Sequence, residues 1–282
     1  MIWRPPPPPF PFDGDISEIA DWAELTVAAT GSSVGRGKVQ TTMAREDAGD
    51  ASRVADVWSE LRRRDSLFGP NWPFRLTLNV LSPRRPTTMF SLHVFLAALG
   101  MRTNIDFEGR ELFEHAVAEI LQGLVGPQTM RLGAPRRAPV PASLTDAVKE
   151  YFGSATEDAA ILRPFPTSDG DLGLDVAGWM TFDDDRGGFL HFIGQCATGA
   201  DWRDKLLELN PHKWNDHVNW SVPPVRFFAL PFVVKREEFR RTSLDGGLIL
   251  DRPRLVHLAA KAPVSTSLRR KLQNYCSTLY GS

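Results

Sequence analysis

Cysteine is nearly absent from this chain. Only Cys196 and Cys276 occur among 282 residues. They are too few and too widely spaced for a disulfide framework or a structural zinc site, and a reducing, cytoplasmic setting is the expectation. A charge excess of either sign is also lacking, since 33 Lys and Arg stand against 34 Asp and Glu for a net charge of -1. No bulk field therefore draws the chain to nucleic acid. Any such contact must come from local clusters such as Arg131, Arg136 and Arg137, or Arg269, Arg270 and Lys271. Short arginine runs are also common on solvated faces, so these clusters alone identify no partner. No apolar run reaches the roughly 18 residues that a bilayer span requires, and no membrane association is expected. Signatures of several enzyme classes are missing as well. There is no G-x-S-x-G elbow. The glycines before Lys38 have the wrong spacing for a P-loop, and Val39 stands where Ser or Thr is needed.

What is present reads as an ordered globular protein, with 42% hydrophobic and 10% aromatic residues in a chain long enough to bury a substantial core. The N-terminal stretch carries Pro5 to Pro9 in place of a charged region and an apolar core. It is read as an extended polyproline arm and not as a secretory signal. Asp15, with Glu18 three residues on, signals a capped helix through Leu25. Val54, Val57, Trp58 and Leu61 share one face of a second helix over 52–64. Period-two alternation predicts a strand over Phe74 to Leu81, and the apolar run 88–99 is either its partner strand or a helix. We divide the chain into an arm (1–14), a mainly helical N-terminal module (15–104) and an α/β domain (105–282).

In that last domain, Phe113, Val117, Ile120, Leu121 and Leu124 follow helical spacing. Pro135, Pro139 and Pro141 break up a basic loop over 131–142. Val225 to Val234 reads as a buried strand with Pro231 at a bulge or edge, Leu248 to Leu258 as one or two more strands, and Ser265 to Leu279 as a basic closing helix. His212 and His217, five apart and without a cysteine nearby, make a poor zinc pair. Trp202, Trp214 and Trp220 read as packing residues sooner than as base-stacking ones. Cys196, inside an apolar strand, reads as a small core residue and not a nucleophile.

The segment 173–205, GLDVAGWMTFDDDRGGFLHFIGQCATGADWRDK, carries the most chemistry. Asp175 ends one short apolar run and Gln195 ends the next. Between them Asp183, Asp184, Asp185, Arg186, Gly187 and Gly188 form a polar, glycine-bearing turn of the kind that joins antiparallel strands. A hairpin brings the two polar ends together. A carboxylate beside an amide oxygen supplies two of the hard oxygen ligands that Mg2+ prefers.

The arrangement Gly173-Leu174-Asp175, a hairpin, then Gln195-Cys196-Ala197 resembles the PD-(D/E)xK phosphodiesterase superfamily. Within it the nearest pattern is that of the Mrr-like restriction endonucleases, whose motif runs Gly-hydrophobic-Asp, hairpin, Gln-x-Lys. The resemblance spans residues 108 to 258. It implies an α/β restriction-endonuclease-like core, a central mixed sheet flanked by helices, opened by a helix whose Phe113-Glu114 pair turns its glutamate toward a metal. It further implies Mg2+ or Mn2+ held by Asp175, the Gln195 amide oxygen, the Cys196 main-chain carbonyl and Glu114. The implied activity is metal-dependent hydrolysis of nucleic acid, DNA above RNA, in bacterial defence against foreign DNA. Ala197 departs from the pattern, for lysine belongs there. Lys205, at the start of a helix that Asp201 would cap, is the candidate displaced cation. The alternative reading takes Ala197 at face value. It makes the chain a catalytically impaired subunit that binds or assembles, with the N-terminal module and proline arm as surfaces for a protein partner. A homo-oligomer stays open under either reading.

Overall fold

The computed structural model describes residues 4–7, 15–45, 53–84, 89–101, 105–157, 160–166, 171–182, 184 and 186–280. The first hundred residues build helices around a small sheet. Helix α1 (Ile16–Thr30) starts where the Asp15 carboxylate accepts the Ser17 N–H, and it stops at Gly31 in the left-handed conformation, φ 64°. Strand β1 (Val34–Gly35) and helices α2 (Arg36–Arg45) and α3 (Arg53–Phe68) follow. Val54, Val57, Trp58 and Leu61 of α3 are buried, as their spacing predicts. Strands β2 (Phe74–Leu76) and β3 (Val80–Pro83) pair with each other, β1 adds to β3, and α4 (Phe90–Gly100) completes the module.

Helix α5 (Phe107–Val125) opens the second part, capped by the Asp106 carboxylate on the Gly109 N–H. After it come β4 (Thr129–Arg131), α6 (Leu144–Ser154), β5 (Val176–Met180), β6 (Leu190–Cys196), α7 (Pro211–Trp214), β7 (Val225–Ala229), α8 (Arg236–Gly246), β8 (Leu248–Leu250), α9 (Arg252–Lys261) and α10 (Thr266–Tyr280). The five strands β4 to β8 lie side by side in chain order. The β4, β5 and β6 neighbours are antiparallel, whereas β6, β7 and β8 run parallel, so the sheet is mixed and flanked by helices, as expected. Strand alternation sends Val176, Phe192 and Phe227 to a core shared with Phe113, Val117 and Leu121 of α5. It sends Ala177, Trp179 and Ile193 to a second core with Tyr151 and Phe152 of α6 and with Trp214.

Several expectations are corrected. Phe74 to Leu81 is not one strand: Thr77 accepts and donates locally with Val80, and the chain reverses there into the β2–β3 hairpin. Alternation alone cannot register a turn between two short strands of equal phase. The run after it is helix α4, buried on nearly every side, which explains why no amphipathic period marks it. The stretch from Leu248 holds one three-residue strand, after which Pro253 sits in the first turn of α9. Residues from Trp202 onward form turns and a 3-10 segment, Asp204–Leu207, in place of the α-helix expected there. Arg131 belongs to β4 and not to the basic loop.

The arm is docked over the residues seen, since Arg4 N–H binds the Tyr280 carbonyl and the Trp22 indole binds the Pro6 carbonyl. Its remainder, 8–14, lies outside the described residues, as do Asn104 at the expected boundary and Asp183 and Asp185 of the hairpin turn. One hydrophobic core runs from Ile19 to Cys276, across the boundary drawn at residue 105.

Candidate functional site

The site sits where the start of β5 meets the end of β6. Register pairs Val176 with Gly194, so Asp175 and Gln195 are the next residues outward on each strand and share the face of Ala177 and Ile193. Asp175 is bound on both strands through its backbone: its N–H donates to the Gly194 carbonyl, and its carbonyl accepts from Leu132 and Gly133. One carboxylate oxygen, Oδ2, accepts the Cys196 N–H at 2.7 Å. The other faces Gly133.

Glu114 reaches the same spot from α5. A Cβ at Gly133 would collide with Glu114 Oε2 and lie 2.9 Å from Asp175 Oδ1, so both carboxylates converge on the space that this glycine leaves open. Neighbouring Glu111 and Glu119 go elsewhere, to Arg137 and to Ser265. Only Glu114 of the three joins Asp175.

Two carboxylates so placed disfavour each other's charge. Burial, then the charge of Glu114, hold Asp175 well above the usual carboxylate range, although the Cys196 N–H opposes the shift. Glu114 is pushed up to about 7, mainly by burial, against the pull of Arg131 and with Asp171 adding to the rise. Asp171 is held in place by the N–H groups of Gly173 and Ala134. Arg131, whose side chain is 8% exposed, brings Nη2 to 2.7 Å from Glu114 Oε2. Neither Arg131 nor Asp171 stood out in the sequence. Arginine in a three-residue strand carries no signal beyond the basic cluster it begins.

Gln195 is buried, and its amide nitrogen donates to Glu208 while its Oε1 has no hydrogen-bond partner. Cys196 contributes the backbone N–H that Asp175 accepts, and burial followed by the charge of Asp175 keeps its thiol well above its usual pKa. That thiol is no nucleophile. Ala197 is buried in a third small core with Trp202, Leu206 and Phe228.

Lys205 does not join the group: its ammonium pairs with Asp201 at 3.7 Å on the surface. The side chain that this segment delivers to Gln195 is Glu208, three residues on. Of the expected set, the structure brings the Glu114 and Asp175 carboxylates together, places Gln195 on the neighbouring strand with its amide on Glu208, brings Cys196 to Asp175 through its N–H and not its carbonyl, and leaves Lys205 with Asp201.

Donor chemistry can be tested against a divalent cation. Gln195 Oε1 is buried without a hydrogen-bond partner, Asp175 keeps one oxygen turned to the Gly133 space, and Glu114 Oε2 beside it is engaged by Arg131. All are hard oxygen donors, which suit Mg2+ or Mn2+ and not a soft metal. Among the described residues no three His, Cys, Asp or Glu side chains form a ready-made cage. Magnesium does not need one, since it keeps several waters and takes one or two carboxylates. The residues fit the ion. No family model, curated protein or solved structure matches the chain. Among the described residues no helix is long and apolar enough to cross a membrane.

Proposed function

We propose that this chain is a divalent-metal-dependent nucleic-acid phosphodiesterase with a restriction-endonuclease-like core. The observation that carries this reading is the convergence of the Glu114 and Asp175 carboxylates on Gly133 at the edge of a mixed sheet. Two buried carboxylates facing each other ionise together only at a cost that Arg131 offsets in part, and such perturbed pairs cluster at functional sites. A helix, α5, ahead of a mixed sheet flanked by helices supports the coarse architecture that the resemblance implies, with α6 set between β4 and β5. Glu114, Asp175 and the Gln195 amide oxygen would hold Mg2+ or Mn2+. Bound there, the ion would polarise a phosphoryl oxygen and offset developing negative charge.

The protein's own part is placement. Cys196 N–H fixes one oxygen of Asp175 and so aims the other, while the β5–β6 ladder keeps Gln195 beside it. In the overall reaction a water oxygen bonds to phosphorus as one ester P–O bond breaks. The products are a phosphomonoester end and a hydroxyl end, and the water's second proton goes to solvent. DNA is the proposed substrate and defence against foreign DNA the proposed role, both on the strength of the resemblance.

A second reading, a nuclease fold that binds without cutting, is favoured by one observation. Ala197 is sealed in a core, so the strand that should present lysine presents none. Digestion of plasmid and single-stranded DNA with Mg2+ or Mn2+ separates the two. Cleavage should be divalent-dependent, and Asp175→Ala should reduce it at least ~100-fold while leaving the circular dichroism spectrum unchanged. Full activity in the variant would overturn the assignment, and an inert wild type with intact DNA binding would select the second reading.

A further inference from the structure

The hairpin lacks its lysine, yet a cation stands at the carboxylates from another strand. Arg131 ends β4, which pairs with β5 so that Arg131 lies opposite Val176, one residue from Asp175. Its side chain is 92% buried by complement of its 8% exposure, an expensive place for a guanidinium. The Pro135 carbonyl accepts from Nη1 at 3.2 Å. Nη2 is already engaged by Glu114 Oε2 at 2.7 Å, whereas Nε is a buried donor without a hydrogen-bond partner.

Nε and Nη2 form one side of the guanidinium fork, the edge that binds a phosphate or carboxylate through two parallel bonds. Arg131 gives one nitrogen to Glu114 and keeps Nε unpartnered, so an incoming anion beside the carboxylates would find a donor there. Arg136 repeats the pattern: its Nη1 donates to the Ala142 carbonyl at 3.0 Å, its Nε and Nη2 are buried without partners, and its charge bears on Asp171 and Asp175.

Access agrees with this. Arg131 forms part of the wall of a cleft of about 520 Å³ between α5, the loop 132–142 and α10, which also presents His115, Arg137 and Lys271 together with Glu108 and Glu111, the latter paired with Arg137. A backbone lying along that cleft would bring its phosphates to Arg131. Lys205, by contrast, is bound to Asp201 and does not line this cleft.

We propose that Arg131, seconded by Arg136, binds the scissile phosphate and supplies the positive charge that Ala197 omits. The proposal rests on the phosphodiesterase reading of the same site. Its test has two arms on the full-length chain: cleavage of a labelled DNA duplex in Mn2+, and binding of that duplex in Ca2+ over a series of salt concentrations.

Arg131→Ala should lower the cleavage rate by ~100-fold or more, the usual scale for losing one charge-stabilising donor. It should also flatten the dependence of log affinity on log salt by about one phosphate contact. Arg131→Lys keeps the charge without the fork, so it should restore the salt slope but only part of the rate. This also guards against misfolding of the alanine variant, with the thermal midpoint as control. Lys205→Ala should lose less than Arg131→Ala in both arms. Wild-type behaviour of Arg131→Ala, or a larger loss in Lys205→Ala, overturns the proposal. If the wild type binds but never cleaves, the phosphodiesterase reading falls, and the salt slope of Arg131→Ala alone decides this one. A wild type that neither binds nor cleaves overturns both.

Discussion

Glu114 concentrates the physical tension of the site. It is buried beside a second carboxylate, and Arg131 offsets only part of the effect, so its proton is held up to about 7 against an ordinary value of 4.5. A folded-state pKa raised above the unfolded one means that the folded chain binds the proton more tightly. The associated stability is complete below about 4.5 and is lost as pH rises through about 7. At 1.36 kcal/mol per unit the effect is on the order of 3 kcal/mol. Glu114→Gln cannot titrate, so its unfolding free energy should fall less than the wild type's between those pH values in chemical denaturation at matched salt. Parallel pH profiles would contradict the assignment. A divalent cation reverses the logic by favouring the ionised pair, so metal affinity should rise over the same interval. Lys205 illustrates the other extreme. A 3.7 Å pair with Asp201, both side chains partly exposed, contributes at most about 1 kcal/mol and orients nothing at the site.

Elements place these residues, and β6 is the decisive one. It is antiparallel to β5 on one side and parallel to β7 on the other, so its C-terminal end presents Gln195 and Cys196 beside Asp175. Gly194, next to both, lies against the Phe227 ring of β7, and a Cβ there would run into that ring. Gly194→Ala should therefore cost about 1–3 kcal/mol through overpacking, read as a lower urea midpoint with unchanged slope. Gly37→Ala in α2, where a Cβ meets open space, should be neutral or slightly stabilising. Equal effects from the two would refute the packing argument.

The sequence made parts of these elements legible. The hairpin signal of polar turn and apolar flanks led to β5 and β6, and helical spacing led to α5 and to the core face of α3. Glu114 could be named from the Phe-Glu resemblance but not separated from Glu111 and Glu119, because helical spacing says nothing about which side chain passes a glycine on another element. Arg131 could be named only as one of a basic cluster and not as a neighbour of Glu114, since only the β4–β5 register carries it there. Lys205 failed as the displaced cation because the segment that bears it forms a short 3-10 turn, and its phase delivers Glu208 to Gln195 instead.

At the scale of the molecule, the N-terminal module and the sheet-bearing part are joined by buried charge as well as by a shared core. Arg64 of α3 binds Asp21 and Glu24 of α1, His93 of α4 binds Glu24 at 2.7 Å, and Arg252 at the start of α9 binds Asp21. Removing one member of such a network leaves an uncompensated buried charge, which is why these groups fix how α1, α3, α4 and α9 meet more than they add net stability. The module thus backs α9, and α9 packs against α5, the helix that bears Glu114.

The central proposal is that a divalent cation binds where the Glu114 and Asp175 carboxylates meet. Binding of Mn2+ to the full chain, followed by electron paramagnetic resonance at neutral pH, tests it most directly. The account predicts one saturable site, lost in Asp175→Ala and weakened at least ~10-fold in Gln195→Ala, on the scale by which lost coordination support lowers affinity. A wild-type chain without a saturable site, or an Asp175→Ala chain that binds as the wild type does, would contradict it.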